Sequence, residues 1–203
     1  MDIDLLVKLL IGILGSMVGA LAGLGFSTWR DHWRRPILLI DNPSGIGFRV
    51  SRVGQDVNGN HFPTVWIRVR IRNIGRSTAK NVKVYVVRYG SLSGHDPEKQ
   101  RLGTDPAPLF WSHSGFVTQT DARLVASLPP GTHQFADFAV GRDEFPPLLS
   151  LNSPIDDGAF LEVAAAGNGA EVEFMAVDES GHHALKRMSF AWEGTISSLQ
   201  WRT

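Results

Sequence analysis

Two hydrophobic patterns divide the chain. From Leu5 to Phe26 apolar and small residues run together with Lys8 as the sole charge, and past Pro36 apolar residues recur at every second position. The first pattern predicts a helix of about 22 residues, roughly 33 Å long at 1.5 Å per residue, which is enough to cross a bilayer core. The second predicts short half-buried strands. They are ILLID (37–41), GFRVSRV (47–53), TVWIRVRIR (64–72), KNVKVYVVRY (80–89), LVASL (124–128), HQFADFAV (133–140), FLEVAA (160–165), AEVEFMAVD (170–178) and ALKRMSFAW (184–192). In 64–72 the alternation sets Val65, Ile67, Val69 and Ile71 on one face and Trp66, Arg68, Arg70 and Arg72 on the other.

Turn chemistry separates these segments at Asn73-Ile74-Gly75, Pro129-Pro130-Gly131, Gly167-Asn168-Gly169 and Glu179-Ser180-Gly181. No second helical pattern interleaves with them. The expected architecture is an antiparallel β-sandwich or barrel behind one helix. The expected boundaries are a tail over 1–4, a transmembrane helix over 5–28, a basic juxtamembrane segment over 29–36 and a β-domain over 37–203.

The helix has three readings. A buried core helix would carry a polar face, and apart from Ser16 none is present. A secretory signal would begin with positive charge, whereas this chain opens Met-Asp-Ile-Asp, although Ala20-Leu21-Ala22 has the small-x-small form of a cleavage site. A membrane anchor fits best. Arg30, Arg34 and Arg35 follow the span while Asp2 and Asp4 precede it, so the positive-inside rule expects the N-terminus outside and the β-domain in the cytoplasm. Trp29 and Trp33 fall where an aromatic belt meets the headgroups.

Within the span Gly15, Gly19 and Gly23 recur every four residues beside Gly12, Ser16 and Ala20, and these spacings place both rows on one helix face. In lipid, small residues let two backbones approach closely. The expectation is a helix that associates with copies of itself or with another membrane protein; the plainer alternative is that glycine is simply common in membrane helices.

One segment carries a family resemblance. IRNIGRSTAKNVKVYV (71–86) resembles the N-x-G-x-x-x-A-x-x-V-x-V signature of bacterial immunoglobulin-like domains of the cell-adhesion-related (CARDB-like) kind, through Asn73, Gly75, Ala79, Val82 and Val84. LPPGTHQFADFAV (128–140) resembles a hairpin of the same folds. The resemblance implies an immunoglobulin-like β-sandwich, in which Asn73 and Gly75 tolerate left-handed backbone and Ala79 leaves space beneath a returning strand. It implies no activity.

Composition narrows the function further. Lys+Arg and Asp+Glu both number 20, so no global charge points to nucleic acid. The absence of cysteine excludes disulfides and thiolate metal sites. The histidines, His32, His61, His95, His113, His133, His182 and His183, form no metal-ligand spacing, and the 182–183 pair beside a turn glycine reads as solvent-exposed. His95, Asp96, Glu98, Asp105 and His113 crowd the segment 91–115, which also has the composition of a solvated loop. No nucleophile elbow, P-loop or dinucleotide fingerprint is present. Neither an enzyme nor a cofactor or metal is expected.

Two surfaces remain as candidates for a protein or small-ligand partner. One is the Trp66, Arg68, Arg70, Arg72 face, which could meet anionic headgroups or phosphate unless cross-strand acids such as Glu162, Glu171 and Glu173 balance it. The other is a long loop over 91–120, with Phe110, Trp111 and Phe116 as apolar anchors that either meet a partner or pin the loop to the core. The sequence thus suggests a single-pass interaction or sensing module clustered through its helix. The alternative is a membrane-perturbing effector, of the kind used in bacterial defence, whose β-domain senses a ligand.

Overall fold

The structure is a computed structural model that describes residues 3–42, 49–55, 61–91, 106–112, 126–142, 148–151, 162–165, 169–191, 193 and 200–202. The chain forms two compact units, Met1–Arg35 and Pro36–Thr203.

The first unit is helix α1, Ile3–Arg34, with 32 residues. It runs past the expected end at residue 28 and takes in most of the juxtamembrane segment. Nothing between Phe26 and Arg34 breaks a helix, whereas Pro36 disfavours helical backbone at the residue before it and stops the run. The window Gly12–Arg30 is long and apolar enough to cross a membrane, and its side chains are exposed. Its hydroxyls are satisfied inside the helix: Ser16 donates to the Ile13 carbonyl at 2.8 Å, Ser27 to Leu24 at 2.9 Å, and Thr28 to Leu24 and Gly25 at 3.0 Å.

The second unit is built from strands numbered in chain order. One antiparallel sheet contains β1 (Leu38–Asp41), β2 (Arg49–Gln55), β3 (His61–Asn73), β6 (Phe110–Trp111), β8 (His133–Arg142), β9 (Leu148–Leu151) and β10 (Glu162–Ala165). The other contains β4 (Ala79–Ser91), β5 (Ala107–Pro108), β7 (Ala126–Leu128), β11 (Gly169–Val177), β12 (His183–Ala191) and β13 (Gln200–Arg202). In the first sheet the order is β1-β3-β8-β9-β10, with β2 beside β3 and β6 beside β8. In the second it is β13-β12-β11-β4-β5, with β7 also on β4.

Alternation in the sequence becomes alternation in burial. Val65, Ile67, Val69 and Ile71 of β3 are buried, as are Val82, Val84 and Val86 of β4 and Val172, Phe174 and Ala176 of β11. These faces share one core. Phe138 of β8 meets Phe174 edge-on at 5.1 Å, and Phe190 and Trp201 extend the aromatic cluster. Two antiparallel sheets over one core are compatible with a β-sandwich.

Strand β8 departs from strict alternation. Its register against β3 shifts between Ile67, opposite Ala139, and Arg68, opposite Asp137, so Phe138 has no residue across from it. That bulge lets Phe138 and Ala139, adjacent in sequence, both be buried. Strands β5, β6, β9 and β13, of two to four residues, have no counterpart in the sequence pattern. Part of the expected 91–120 loop is therefore strand, since β4 reaches Ser91 and β5 and β6 follow. The expected turn at 167–168, Phe116 and the acid and histidine cluster from His95 to His113 lie outside the described residues.

One end of the unit is organised by Asn73, which is fully buried. Its Nδ2 donates to the carbonyls of Ser77 (2.6 Å) and Leu128 (2.8 Å), and its Oδ1 accepts from Gly75 N (2.9 Å) and Ile37 N (3.2 Å). Its backbone pairs with Thr132 O and Gly131 N. The start of β1, the β3–β4 turn and the β7–β8 turn thus converge on a single amide. Left-handed backbone, expected at Asn73 and Gly75, occurs instead at Asn81, Gly131 and Gly181. Asn81 tolerates it while its amide donates to Glu179 at 2.7 Å.

Replacing Asn73 with alanine strips partners from four backbone groups at once. At about 1–3 kcal/mol for each buried polar group left unsatisfied, a loss of roughly 3–5 kcal/mol is expected by chemical denaturation. Thr78→Ala, on an exposed position of the same turn, should stay within about 0.5 kcal/mol. Equal losses for the two variants would dismiss Asn73 as the hub.

Candidate functional site

The outward face of β3 is the surface the sequence singled out, and it is a ladder of paired charges and rings. Trp66, Arg68, Arg70 and Arg72 are all half-buried on this face, opposite the buried aliphatic row. Register brings Asp41 of β1 beside Arg70, and Phe135 and Asp137 of β8 beside Arg70 and Arg68.

Arg70 donates through Nε to Asp41 Oδ1 at 2.6 Å and through Nη2 to Oδ2 at 3.1 Å, a bidentate geometry. Arg72 Nη1 lies 3.5 Å from the same carboxylate. Chiefly through that hydrogen bond, and through Asp41's charge against the opposing effect of burial, Arg70's pKa is raised above its ordinary value. A raised folded-state pKa adds stability that is complete below the unfolded value and is lost only as pH rises through the folded one, both far above neutral. The pair therefore gives no pH switch from Arg70 in the neutral range.

Arg68 is held more deeply. Its Nε stands 3.4 Å from Asp137, whose side chain is only 3% exposed, and its guanidinium lies 5.7 Å from the centre of the Phe135 ring. The Ser112 hydroxyl, just past β6, also donates to Asp137. Two carboxylates thus answer three guanidiniums. The face carries far less free positive charge than TVWIRVRIR suggests.

The balancing acids are not those expected from the sequence. Glu171 and Glu173 belong to β11 in the other sheet, where they face Arg187 at 3.8 Å and Arg88 at 4.0 Å. Glu162 begins β10, at the opposite edge of the first sheet from β1. Asp41 and Asp137 escape a sequence reading because strand pairing selects both, β1 on β3 for the first and β8 on β3 for the second.

The two anchors of β6 separate. Phe110 is opposite Asp137 in register and half-buried, so it continues the outward face. Trp111 is opposite Ala136, only 3% exposed, and its Nε1 donates to the Val82 carbonyl at 3.3 Å. Trp111 joins the core, which corrects its place among the candidate surface residues. The histidine pair splits in the same way. His183 is exposed, while His182 is partly buried with Nδ1 3.1 Å from Asp178 Oδ2. Asp178 also accepts from the backbone of Ser180 and His182 at 2.9 Å, which closes the β11–β12 turn.

On α1 the glycine positions are open. A Cβ placed at Gly12, Gly15, Gly19 or Gly23 meets nothing within 4 Å. Towards the helix end Phe26, Trp29 and Trp33 form a ladder of rings, with centroids 5.8 and 5.5 Å apart in sequence. Arg30, Arg34 and Arg35 are exposed beside it.

Removing Asp137 leaves a deeply placed guanidinium without its carboxylate, so Asp137→Ala should cost about 3–5 kcal/mol. Asp41→Ala, where the pair is partly solvated, should cost about 1–2 kcal/mol. Arg88→Ala, at an exposed pair on the other sheet, should stay below about 0.5 kcal/mol. Urea denaturation of the three variants should return that order, and an Arg88 effect equal to that of Asp137 would refute it.

No family model matches the chain, and no curated protein sequence matches it.

Proposed function

We propose that this chain is a single-pass membrane-anchored interaction module. In this reading α1 crosses the bilayer and clusters through Gly12, Gly15, Ser16, Gly19, Ala20 and Gly23. An immunoglobulin-like β-unit on the cytoplasmic side binds a protein or small-ligand partner, and the outward Trp66, Arg68, Arg70, Arg72 and Phe110 face is its candidate surface.

The glycine row carries the reading. A glycine in a helix interior costs about 1 kcal/mol relative to alanine, yet four recur along this face. Their backbone is ordinary helix and their missing side chains leave open space, so neither strain nor packing within α1 asks for glycine. Close approach by a second helix in lipid does ask for it. Internal satisfaction of Ser16, Ser27 and Thr28 supports the bilayer as surroundings, because hydrocarbon offers no partner for a hydroxyl. The Trp29–Trp33 ladder and the arginines after it support an interfacial helix end with the β-unit inside the cell.

Strand order supports the immunoglobulin-like part. The neighbours β1-β3-β8 and β12-β11-β4-β5 follow the A-B-E and G-F-C-C′ arrangement of such sandwiches. The pair β9–β10, placed after β8 in both sequence and sheet, departs from it. The buried, hydrogen-bonded Asn73 is at the heart of the motif that suggested the family.

Gly19→Leu should weaken self-association in a membrane two-hybrid assay by about 1–2 kcal/mol, because the leucine side chain holds the two backbones apart. Hydrophobicity rises in that variant, so insertion is retained. Leu14→Ala and Leu21→Ala, on the broad aliphatic face, should associate like the parent. Undiminished association of Gly19→Leu would end the clustering proposal.

Topology has its own test. A reporter fused after Thr203 should be active in the cytoplasm, and neutralising Arg30, Arg34 and Arg35 should weaken that orientation. A reporter active only outside the cytoplasm would reverse the assignment.

A further inference from the structure

One end of the β-unit carries an apolar patch with a basic rim, beside the residue where the chain enters from α1. Ile37, Leu39 and Ile74 are exposed large aliphatics, with relative exposures of 44%, 37% and 50%. They are neighbours. Ile74 N donates to the Ile37 carbonyl at 2.9 Å, and Leu39 stands opposite Arg72 in the β1–β3 register. Arg72 borders the patch on the β3 side, and the exposed Arg76 and Lys80 border it on the turn and at the start of β4.

Three acids among the described residues at this end have partners of their own. Asp178 is buried and caps the β11–β12 turn, Glu179 accepts from Asn81, and Asp41 is committed to Arg70 with Arg72 at its margin. The β3–β4, β7–β8 and β11–β12 turns all converge here, through the bonds of Asn73 and the pairing of Glu179 N with Lys80 O. The surface around the patch is therefore made of held turns, which present Ile74 at a fixed place.

Connectivity identifies the occupant. Ile37 follows Arg34, the last residue of α1, by three positions, so the covalent chain keeps it within about 10 Å of the helix end. Given the anchor proposed above, on which this inference rests, that distance is headgroup depth. Aliphatic side chains at the boundary between water and acyl chains, ringed by lysine and arginine, match an anionic bilayer surface in both polarity and charge. We infer that the Ile37–Leu39–Ile74 end of the β-unit is a second membrane contact, which docks the domain on anionic lipid headgroups beside its own anchor. Docking at this end would leave the Trp66–Arg68–Arg70 stretch of β3, farther along the strand, available to a partner.

The chain has no cysteine, so a single introduced thiol labels one place. Full-length Ile74→Cys, Thr78→Cys and Gln200→Cys would each carry an environment-sensitive fluorophore. Positions 74 and 78 report on the β3–β4 turn, and Gln200, exposed on β13 and paired with Ala191, reports on the opposite end of β12. Each protein is reconstituted into vesicles of phosphatidylcholine alone or with phosphatidylglycerol, some of them carrying a headgroup-level spin-label quencher.

Labels at 74 and 78 should shift to the blue and be quenched in anionic vesicles, while the label at 200 is not. Arg76→Glu with Lys80→Glu should lower the docked-to-free ratio by at least about tenfold, as losing two surface cations near anionic lipid predicts. Protein that stays with the vesicles through a carbonate wash while all three labels report water would overturn the inference and leave the anchor standing. Protein stripped from the vesicles by that wash would remove the anchor, and this inference with it. Equal quenching in neutral and anionic vesicles would overturn the role of the basic rim.

Discussion

A single buried amide sets the geometry of the β-unit. Asn73 uses both donors and both acceptor directions of its side chain on four residues, Ile37, Gly75, Ser77 and Leu128, which bring together distant parts of the chain. Every other feature of that end follows from holding these together. The β3–β4 turn is pinned, so the aliphatic rows of β3 and β4 face each other across the core. The entry of β1 is pinned, so Asp41 comes level with Arg70. An apolar residue at position 73 would supply none of these bonds, and a carboxylate would lack the two donors.

Packing and electrostatics are segregated by the pleat of β3. Inward, Val69 and Ile71 are wholly buried against the second sheet, where burial of a full aliphatic side chain is worth about 1.5–3 kcal/mol. Outward, three arginines would repel one another if left unanswered. Asp41 and Asp137 resolve this, one as a partly solvated bidentate pair and the other as a nearly enclosed carboxylate also bonded to Ser112. The same face is thereby converted from a basic stripe into a mixed surface of rings and paired charges. In the proposed reading, such a surface would meet a partner with complementary polar and aromatic groups rather than bind phosphate non-specifically.

The helix is long and apolar enough for a different solvent, the bilayer proposed above. Its apolar side chains, its internally satisfied hydroxyls and its glycine row make sense together in lipid, where unsatisfied polar groups are costly and close backbone approach replaces hydrophobic drive. The β-unit, by contrast, hides its apolar rows, and among its described residues Ile37, Leu39 and Ile74 form a small exposed aliphatic group close to where the helix hands over to it. Helix and exposed patch meet the same solvent if both meet the membrane.

Local pattern was enough for the helix, for the β3 faces and for nine of the strand segments, because periods of 3.6 and 2 are written in residues close in sequence. The sequence alone also singled out Asn73, although the reason it matters differs: its amide bonds rather than a left-handed backbone. Tertiary structure decided what depends on which strands are neighbours. Asp41 and Asp137, rather than the glutamates of β11, balance the arginines because strand register puts them there. Trp111 is core and Phe110 is not, because a two-residue strand is too short to reveal which of its faces turns inward. Long-range pairing has no local signature, so the charge balance of the candidate surface was open until the sheets were assembled.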